Sequence, residues 1–257
     1  MSLEGRLPQG VLLKKIFDAI KDMVTDVNLD CSEAGIALQA MDTSHVALVM
    51  LCLKSGAFDH YQCSRSRSLG LNMIQVSKIF KLCGNEDQVI IRNVDDQDRV
   101  SFVFESYDRV ADFELRLMQF DQDHLGVPET EFSATVSMPS KLFAKNITDL
   151  QTFSDTIGLE VTPKTIKFSA REDFGAANTL LKARSDGVDI QCDESSVQLN
   201  FASRYLGYFA KAATLADNVR FRISPGQPLE VQYNLNDDPH VGYIKFYLAP
   251  KMDDSSI

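Results

Sequence analysis

Four short segments, in which apolar residues recur with helical spacing, interrupt a chain that otherwise alternates apolar and polar residues. These segments cover about residues 11–24, 72–82, 140–150 and 203–213, so their starts lie roughly 60 to 70 residues apart. Recurrence of one pattern at a regular interval is typical of an internal structural repeat. The sequence therefore predicts four copies of one unit, each with one helix and several strands.

An apolar stripe in each segment predicts an amphipathic helix with one buried face. The stripe residues are Leu13, Ile16, Phe17, Ile20 and Val24 in the first segment, Val76, Ile79 and Phe80 in the second, Phe143, Ile147 and Leu150 in the third, and Leu206, Phe209 and Ala213 in the fourth. Elsewhere, alternation with period two predicts half-buried antiparallel strands. The clearest examples are residues 113–117, 166–168, 219–223 and 229–233. The predicted fold class is α+β, with helices packed on antiparallel sheets.

The segment from residue 118 to residue 132 is acidic and contains Gly126 and Pro128. Its apolar residues follow neither helical nor strand spacing. We interpret it as a connection between two halves, each with two helix-plus-strands units. The predicted domains are therefore residues 1–117 and 133–257. Leu125, Val127 and Pro128 give the connection an apolar centre, which a purely solvated linker does not need.

Acidic residues outnumber basic residues by 36 to 26, which gives a formal net charge of −10. This balance argues against a uniformly basic nucleic-acid-binding protein but allows a local basic patch. The longest uninterrupted apolar run, Val46–Leu53, has eight residues, whereas a membrane-spanning helix needs about 20. The first six residues do not resemble a secretory signal, so we expect neither a membrane protein nor a secreted one.

Nine of the 26 basic residues fall on the four predicted helices. They are Lys14, Lys15 and Lys21 on the first helix, Lys78 and Lys81 on the second, Lys141 and Lys145 on the third, and Arg204 and Lys211 on the fourth. Residues three, four or seven positions apart share one face of a helix. If the four helices line one surface, that surface is positive on an otherwise acidic protein. The alternative is that these residues form the solvated face that every amphipathic helix has.

The sequence shows no motif of a catalytic or metal site. The five cysteines are Cys31, Cys52, Cys63, Cys83 and Cys192, and no two of them have zinc-binding or redox-motif spacing. We interpret them as reduced thiols, several of them in the core. The four histidines are scattered, and no phosphate-binding glycine loop, nucleophile elbow or dinucleotide fingerprint occurs. The sequence therefore predicts no enzyme, no metal and no cofactor.

Five segments, in order over nearly the whole chain, carry a specific combination of motifs. They are Gly35–Val49, Gly84–Asp87, Leu125–Pro128, Arg204–Leu206 and Tyr247–Lys251. Together they closely resemble the proliferating cell nuclear antigen family of eukaryotic DNA sliding clamps. The resemblance implies a DNA-clamp fold of two similar domains, each with two helices packed on antiparallel sheets. Three chains would join head to tail into a closed homotrimeric ring, with the helices lining the hole through which duplex DNA passes.

The implied function is that of a nuclear processivity factor for replicative DNA polymerase and a docking platform for replication and repair proteins. Implied partners, besides DNA, are a DNA polymerase, an ATP-driven clamp loader, a flap endonuclease, a DNA ligase and other proteins with a peptide motif. No membrane partner is implied. The resemblance also identifies residues 118–132 as the interdomain connector loop.

Three sets of site residues follow from the helix cations and the resemblance together. The predicted DNA-binding residues are Lys14, Lys15, Lys21, Arg65, Lys78, Lys81, Lys145, Arg204 and Lys211. The predicted partner-peptide-binding residues are Met41, His45, Val46, Leu48, Leu125, Val127, Pro128, Pro228, Tyr247, Ala249 and Pro250. The predicted trimer-interface residues are Phe113, Leu115, Leu117, Leu180 and Leu181. Lys164 is the predicted site of regulatory modification.

The chain departs from the family pattern at residues 62–64 and at Glu172, which stands where a glycine is usual. We expect Glu172 to strain its turn or to reshape the neighbouring subunit edge. Two alternatives to a homotrimeric replication clamp remain: a subunit of a heterotrimeric checkpoint clamp, and an unrelated enzyme or scaffold. Checkpoint subunits usually carry insertions and degenerate connector motifs, whereas the motifs at 125–128 and 249–251 are intact here.

Overall fold

The computed structural model of the protein describes residues 3–94, 97–120, 125–126 and 130–252. The helices in these ranges are α1 (Gly10–Ile20), α2 (Met73–Phe80), α3 (Ser140–Gln151) and α4 (Ser203–Ala210). The strands are β1 (Leu3–Leu7), β2 (Asp26–Ser32), β3 (Gly35–Met41), β4 (Ala47–Lys54), β5 (His60–Cys63), β6 (Arg67–Asn72), β7 (Gln88–Asn93), β8 (Arg99–Glu105), β9 (Val110–Arg116), β10 (Ala134–Pro139), β11 (Thr156–Val161), β12 (Thr165–Glu172), β13 (Gly175–Lys182), β14 (Asp189–Cys192), β15 (Val197–Ala202), β16 (Asn218–Ile223), β17 (Leu229–Asn234) and β18 (Gly242–Leu248).

The order of elements confirms the predicted fourfold repeat. A strand, a helix and three further strands recur as β1-α1-β2-β3-β4, β6-α2-β7-β8-β9, β10-α3-β11-β12-β13 and β15-α4-β16-β17-β18. The short strands β5 and β14 follow the first and third copies. Helix α4 is shorter than predicted because residues Lys211–Thr214 form a 3₁₀ turn, a common ending for an α-helix.

The chain folds into two compact units. Unit 1 consists of Met1–Thr43, Val49–Leu125 and Asp238–Ile244. Its first sheet has the strand order β5-β1-β7-β8-β9 and is antiparallel throughout, and β4-β3-β2-β6 are neighbours in its second group of strands.

The core of unit 1 is aromatic where the helices meet the first sheet. The rings of Phe17 on α1 and Phe80 on α2 lie 4.9 Å apart in an edge-on arrangement. Phe80 also contacts Phe102 and Phe104 of β8, at centroid distances of 5.3 and 5.2 Å. The apolar stripes therefore face the sheet, which leaves the polar faces of α1 and α2 away from it.

Unit 2 consists of Ser44–Leu48, Gly126–Asp237 and Lys245–Ile257 and repeats this arrangement. One sheet has the order β13-β12-β11-β15, and β14-β10-β16-β17 are neighbours in the other group of strands. Phe143 of α3 packs between Phe168 of β12 and Phe221 of β16, so α3 contacts both groups. Phe209 of α4 stacks on Phe246 of β18 with centroids 4.7 Å apart.

The prediction that residues 229–233 form a half-buried strand is wrong in one respect. All five residues are buried, including the polar Glu230 and Gln232. The apolar face carries Tyr233, whose hydroxyl donates to the Phe209 carbonyl at 3.0 Å. The polar face is covered as well, because Arg222 and Arg220 on β16 pair with Glu230 and Gln232.

Within the ranges that the structure describes, no helix has both the length and the apolar character required to cross a membrane.

Candidate functional site

Helix α2 presents cations without any acidic residue between them. Lys78 and Lys81 are both exposed at its C-terminal end, opposite the buried Val76 and Phe80. The Asn72 side chain begins the helix by accepting hydrogen bonds from the amides of its second and third residues. A lysine near the C-terminus of a helix is favoured by the helix dipole, so this placement is also stable locally.

Helix α1 uses its cations differently. Lys15 is half-buried, and Lys21 forms an ion pair with Asp18 at 2.5 Å. The Nζ of Lys14 donates to the carbonyl of Cys83, just beyond α2, at 2.9 Å. Lys14 therefore joins the two helices of unit 1, a role that sequence reasoning missed because it depends on a residue 69 positions away.

In unit 2, helix α4 carries a cluster of cations and aromatic rings. The guanidinium of Arg204 lies 5.2 Å from the Tyr205 ring centroid and 5.8 Å from that of Tyr208. The Nζ of Lys211 lies 5.4 Å from the same Tyr208 ring. Tyr208 thus holds two cations by cation–π attraction, and sequence reasoning did not identify it.

Helix α3 lies beside α4 at close range. A Cβ on Gly207 of α4 would come within 2.4 Å of the Gln151 side-chain amide of α3, so a larger residue at this position would require the Gln151 side chain to move. Lys141 and Lys145 of α3 are exposed, and Lys145 is paired with Asp149 one turn later. Arg65, by contrast, is exposed in the turn between β5 and β6 and belongs to no helix.

Each unit has a strand at one end of a sheet that carries predicted trimer-interface residues. β9 is the last strand of the five-stranded sheet, and β13 is the first strand of the four-stranded sheet. On β9, Phe113 and Leu115 are half-buried, and the Phe113 ring contacts Phe104 at 5.3 Å; Leu117 follows the strand. On β13, Leu181 is half-buried and Leu180 is 57% exposed.

The predicted partner-peptide residues of unit 1 are Met41 and Leu125, and both are exposed. The side-chain amide of Gln39 on β3 forms two hydrogen bonds with the backbone of Leu125. Its Nε2 donates to the Leu125 carbonyl at 2.8 Å, and its Oε1 accepts from the Leu125 amide at 2.7 Å. A side-chain amide can replace a backbone partner in this way. The two hydrogen bonds hold the Leu125 backbone against β3, and the Leu125 side chain is 44% exposed.

In unit 2, the backbone joins two short segments that carry predicted peptide-binding residues. The Ala249 amide donates to the Val46 carbonyl at 3.0 Å, and Val46 is 38% exposed. His45, Pro228 and Ala249 are also exposed, and Tyr247 and Pro250 are half-buried. Leu48 is buried and belongs to the core, which corrects its assignment to an exposed patch. Val127 and Pro128 lie outside the described residues.

The Tyr247 hydroxyl is held by a buried carboxylate that sequence reasoning missed. It donates to Glu230 Oε2 at 3.0 Å, and Arg222 donates to the same carboxylate from Nε at 2.8 Å and from Nη2 at 2.6 Å. Lys245 Nζ lies 3.9 Å away. Burial acts to raise the pKa of Glu230, but the Arg222 hydrogen bonds, the two cations and the Tyr247 hydroxyl together lower it below its ordinary value.

The cysteines are free thiols, as predicted, and three of them are buried. Burial is the main cause that raises the pKa of Cys31 to about 12 and that of Cys83 to about 11. These two thiols therefore stay protonated near neutral pH, which is the unreactive state of cysteine. In the part of the chain that the structure describes, no cluster of three or more metal-ligating side chains occurs.

Two further sequence expectations concern loops of unit 2. Lys164 is exposed in the turn between β11 and β12, where the Thr162 hydroxyl accepts from the Lys164 amide at 3.3 Å. Glu172 ends β12 in extended backbone and pairs with Gly175 across a two-residue hairpin connection. Neither Glu172 nor the two connecting residues has a positive φ, so the expected strain at Glu172 is absent.

The comparisons with known proteins agree with this architecture. The family model for the proliferating cell nuclear antigen N-terminal domain matches residues 2–125, and that for its C-terminal domain matches residues 126–251. The chain is 42% identical to the proliferating cell nuclear antigen of Chaetomium thermophilum over 260 aligned positions, which cover 98% of this chain and 99% of that protein. The chain therefore belongs to the proliferating cell nuclear antigen family and is a DNA sliding clamp that acts as a processivity factor.

Proposed function

We propose that this clamp contacts duplex DNA through the cations of its four helices, without reading base sequence. The observation that carries the proposal is that every helix presents basic residues on the side opposite its buried stripe, in a chain whose net charge is −10. The proposed contact residues are Lys15, Lys21, Lys78, Lys81, Lys145, Arg204 and Lys211, with Lys14 and Arg65 as further members of the set.

The chemistry of these residues suits a contact that must slide. Lysine carries a hydrated point charge on a flexible stem, so it can pass from one phosphate to the next without a fixed geometry. Phosphate contacts carry no sequence information and weaken as salt rises. Helices α2 and α4 contain no acidic residue, so we expect them to contribute the strongest attraction.

The test replaces the two exposed cations of α2. The double variant Lys78→Glu, Lys81→Glu should lower polymerase stimulation on a primed circular template at low salt, because it places negative charge opposite phosphate. The matched control is Lys54→Glu, Lys164→Glu, which makes the same charge change at exposed residues outside the helices. Equal stimulation by both double variants at every salt concentration would show that α2 does not face DNA.

We further propose that β9 of one protomer pairs with β13 of the next in the homotrimeric ring that the family implies. Both are terminal strands in their sheets, and both alternate half-buried with exposed side chains. An open strand edge is prone to pair with another chain, and pairing of β9 with β13 across each protomer boundary would close both of these edges. The proposed anchors are Phe113, Leu115, Leu117, Leu180 and Leu181.

The proposed partners dock by a short peptide that bears a glutamine, an aliphatic residue and two aromatic residues. They include DNA polymerase, the clamp loader, a flap endonuclease and a DNA ligase. The exposed apolar residues Met41, Val46 and Leu125 support this proposal, as does the backbone bond that places Ala249 beside Val46. Aromatic anchors usually dominate the affinity of such contacts.

Three further assignments complete the proposal. The protein acts in the nucleus as a non-catalytic scaffold, because its chemistry is the binding of DNA and partner peptides. Residues 1–117 and 133–257 are its clamp domains, joined by the connector at 118–132. Lys164, exposed in its turn, is the modified lysine.

A further inference from the structure

The buried carboxylate of Glu230 links two surface side chains of unit 2 that lie far apart in sequence. Glu230 is only 2% exposed, and its two oxygens are bound by Arg222 and Tyr247. On its other side, the guanidinium of Arg222 stacks over the ring of Phe132 at 4.4 Å. One chain of contacts therefore runs from Phe132, at the end of the 118–132 segment, to Tyr247 near the C-terminal tail.

The geometry of this network restricts the Tyr247 ring. A bidentate arginine fixes the plane of the carboxylate, and the fixed carboxylate then defines where the phenolic hydroxyl must lie. Lys245, 3.9 Å from Oε2, adds a second cation and favours the ionised form of Glu230. Buried networks that satisfy all their members rigidify the side chains in them.

Stability alone is a poor explanation for such a network. Replacement of a buried ion pair by apolar residues of similar volume is often neutral or stabilising. The network instead holds rings in fixed positions on the surface where Tyr247, Ala249 and Pro250 form part of the proposed peptide site. A ring that is already in place loses less conformational freedom when a partner binds.

We propose that Glu230 is a positioning residue for partner binding, which holds the Tyr247 ring, and through Arg222 the Phe132 ring, ready for the aromatic side chains of a partner peptide. The inference rests on the proposed function, in which Tyr247 contacts that peptide. Glu230 itself does not touch the peptide, because its carboxylate is covered by its own partners.

The test is a double-mutant cycle on the full-length clamp, with titration calorimetry of a synthetic peptide that contains the glutamine, aliphatic and aromatic residues. Tyr247→Phe removes the hydroxyl and keeps the ring, whereas Glu230→Gln keeps the shape and removes the charge. We expect each change to weaken binding about three- to tenfold, the range that corresponds to one net hydrogen bond. The double variant should bind as weakly as the weaker single variant, since both changes release the same ring.

The matched control is Gln232→Ala, which breaks the next buried pair on the same face of β17. Gln232 accepts from Arg220 at 2.7 Å and donates to Asn234 at 2.8 Å, so its loss removes contacts other than the Glu230–Tyr247 bond. It should lower the thermal midpoint but leave peptide affinity unchanged. Light scattering checks that every variant remains a trimer. If Gln232→Ala weakens peptide binding as much as Glu230→Gln does, general loss of stability explains the effect and the proposal is overturned.

A third variant, Tyr247→Ala, separates the inference from the proposed function. If Tyr247→Ala weakens binding and the two conservative variants do not, Tyr247 contacts the peptide but Glu230 does not position it. If Tyr247→Ala binds the peptide like wild type, the peptide site is elsewhere and both proposals fail. Additive effects of Tyr247→Phe and Glu230→Gln would also overturn the positioning role.

Discussion

Single residues with similar sequence signals have different roles in this structure. Lys14 and Lys78 both lie on the polar face of an amphipathic helix, yet Lys14 donates to the Cys83 carbonyl and Lys78 is exposed. Helical spacing predicts the face of a residue but not the neighbour that a long side chain reaches. Glu230 is the clearest case, because an alternating strand pattern predicts a solvated carboxylate where the structure has a buried one.

The ionised state of Glu230 predicts a pH dependence of stability. A carboxyl group whose pKa is lowered by folding stabilises the protein above its unfolded pKa of about 4.3 and loses this contribution as pH falls through the folded pKa. The charged or titratable groups that face it are Arg222, Lys245 and Tyr247. The Glu230→Gln variant should therefore melt below wild type at pH 7, by an amount that shrinks as the pH falls below about 4.

The measurement is the difference in thermal midpoint between wild type and Glu230→Gln, at one protomer concentration, from pH 7 down to pH 3. Since every other carboxyl group titrates in both proteins, the difference isolates the contribution of Glu230. A difference that stays constant over the whole range would show that the carboxylate charge does not stabilise the fold.

At the scale of elements, the terminal strands β9 and β13 are the places where one protomer can add to the sheet of another. β9 and β13 each leave one edge without a neighbouring strand in the described residues of this chain. Such edges usually need protection, and pairing with another protomer supplies it. An interface built from strand edges also fixes the register between protomers through backbone hydrogen bonds.

Removal of the Phe113 side chain should therefore shift the trimer toward monomer. The ring is half-buried against Phe104 on the terminal strand, so it can also contribute apolar area to a partner edge. Phe113→Ala should lose affinity between protomers by about 2 kcal/mol or more, as truncation of an aromatic anchor usually does. Light scattering at submicromolar concentration gives the monomer fraction.

Phe113→Ala also weakens unit 1, and a second variant separates the two effects. Phe58→Ala truncates a buried aromatic residue of the same unit, whose ring lies 4.9 Å from Tyr61, away from β9. It should lower the thermal midpoint and leave the trimer intact. A Phe113→Ala variant that remains fully trimeric would place Phe113 outside the interface.

Most helices and strands could be predicted from sequence. The residues at which they end, and the burial of some of their side chains, could not. The stripes at Phe17, Phe80, Phe143 and Phe209 predict the four helices because amphipathic spacing is a local property. Helix α1 ends at Ile20, whereas the apolar stripe predicted an end near Val24. No glycine or proline after Ile20 marks the end of the helix in the sequence. The covered polar face of β17 escaped prediction because it depends on arginines from another strand.

At the scale of the whole molecule, function requires charge separation. The chain has ten more acidic than basic residues, yet each helix has more basic than acidic residues. In a homotrimer this excess of acid is multiplied by three, so the surface away from the helices must be strongly negative. Such a surface repels DNA everywhere except where the helix cations lie, which favours passage through the ring over binding to its outside.

A ring that holds DNA by topology should resist salt in a way that an electrostatic contact does not. Salt shortens the range of charge interactions to about 3 Å at 1 M, so phosphate contacts by lysine weaken steeply. A closed ring around circular DNA has no end from which to leave, whatever the strength of those contacts. Clamp loaded on a nicked circular plasmid should therefore remain bound in 1 M NaCl and should be released once the plasmid is cut by a restriction enzyme.

The Lys78→Glu, Lys81→Glu variant, once loaded, should be retained equally well on the circle, because its defect is in phosphate contact and not in closure of the ring. Loss of wild-type clamp from the uncut circle at high salt would mean that the helix cations, rather than a closed ring, hold the DNA.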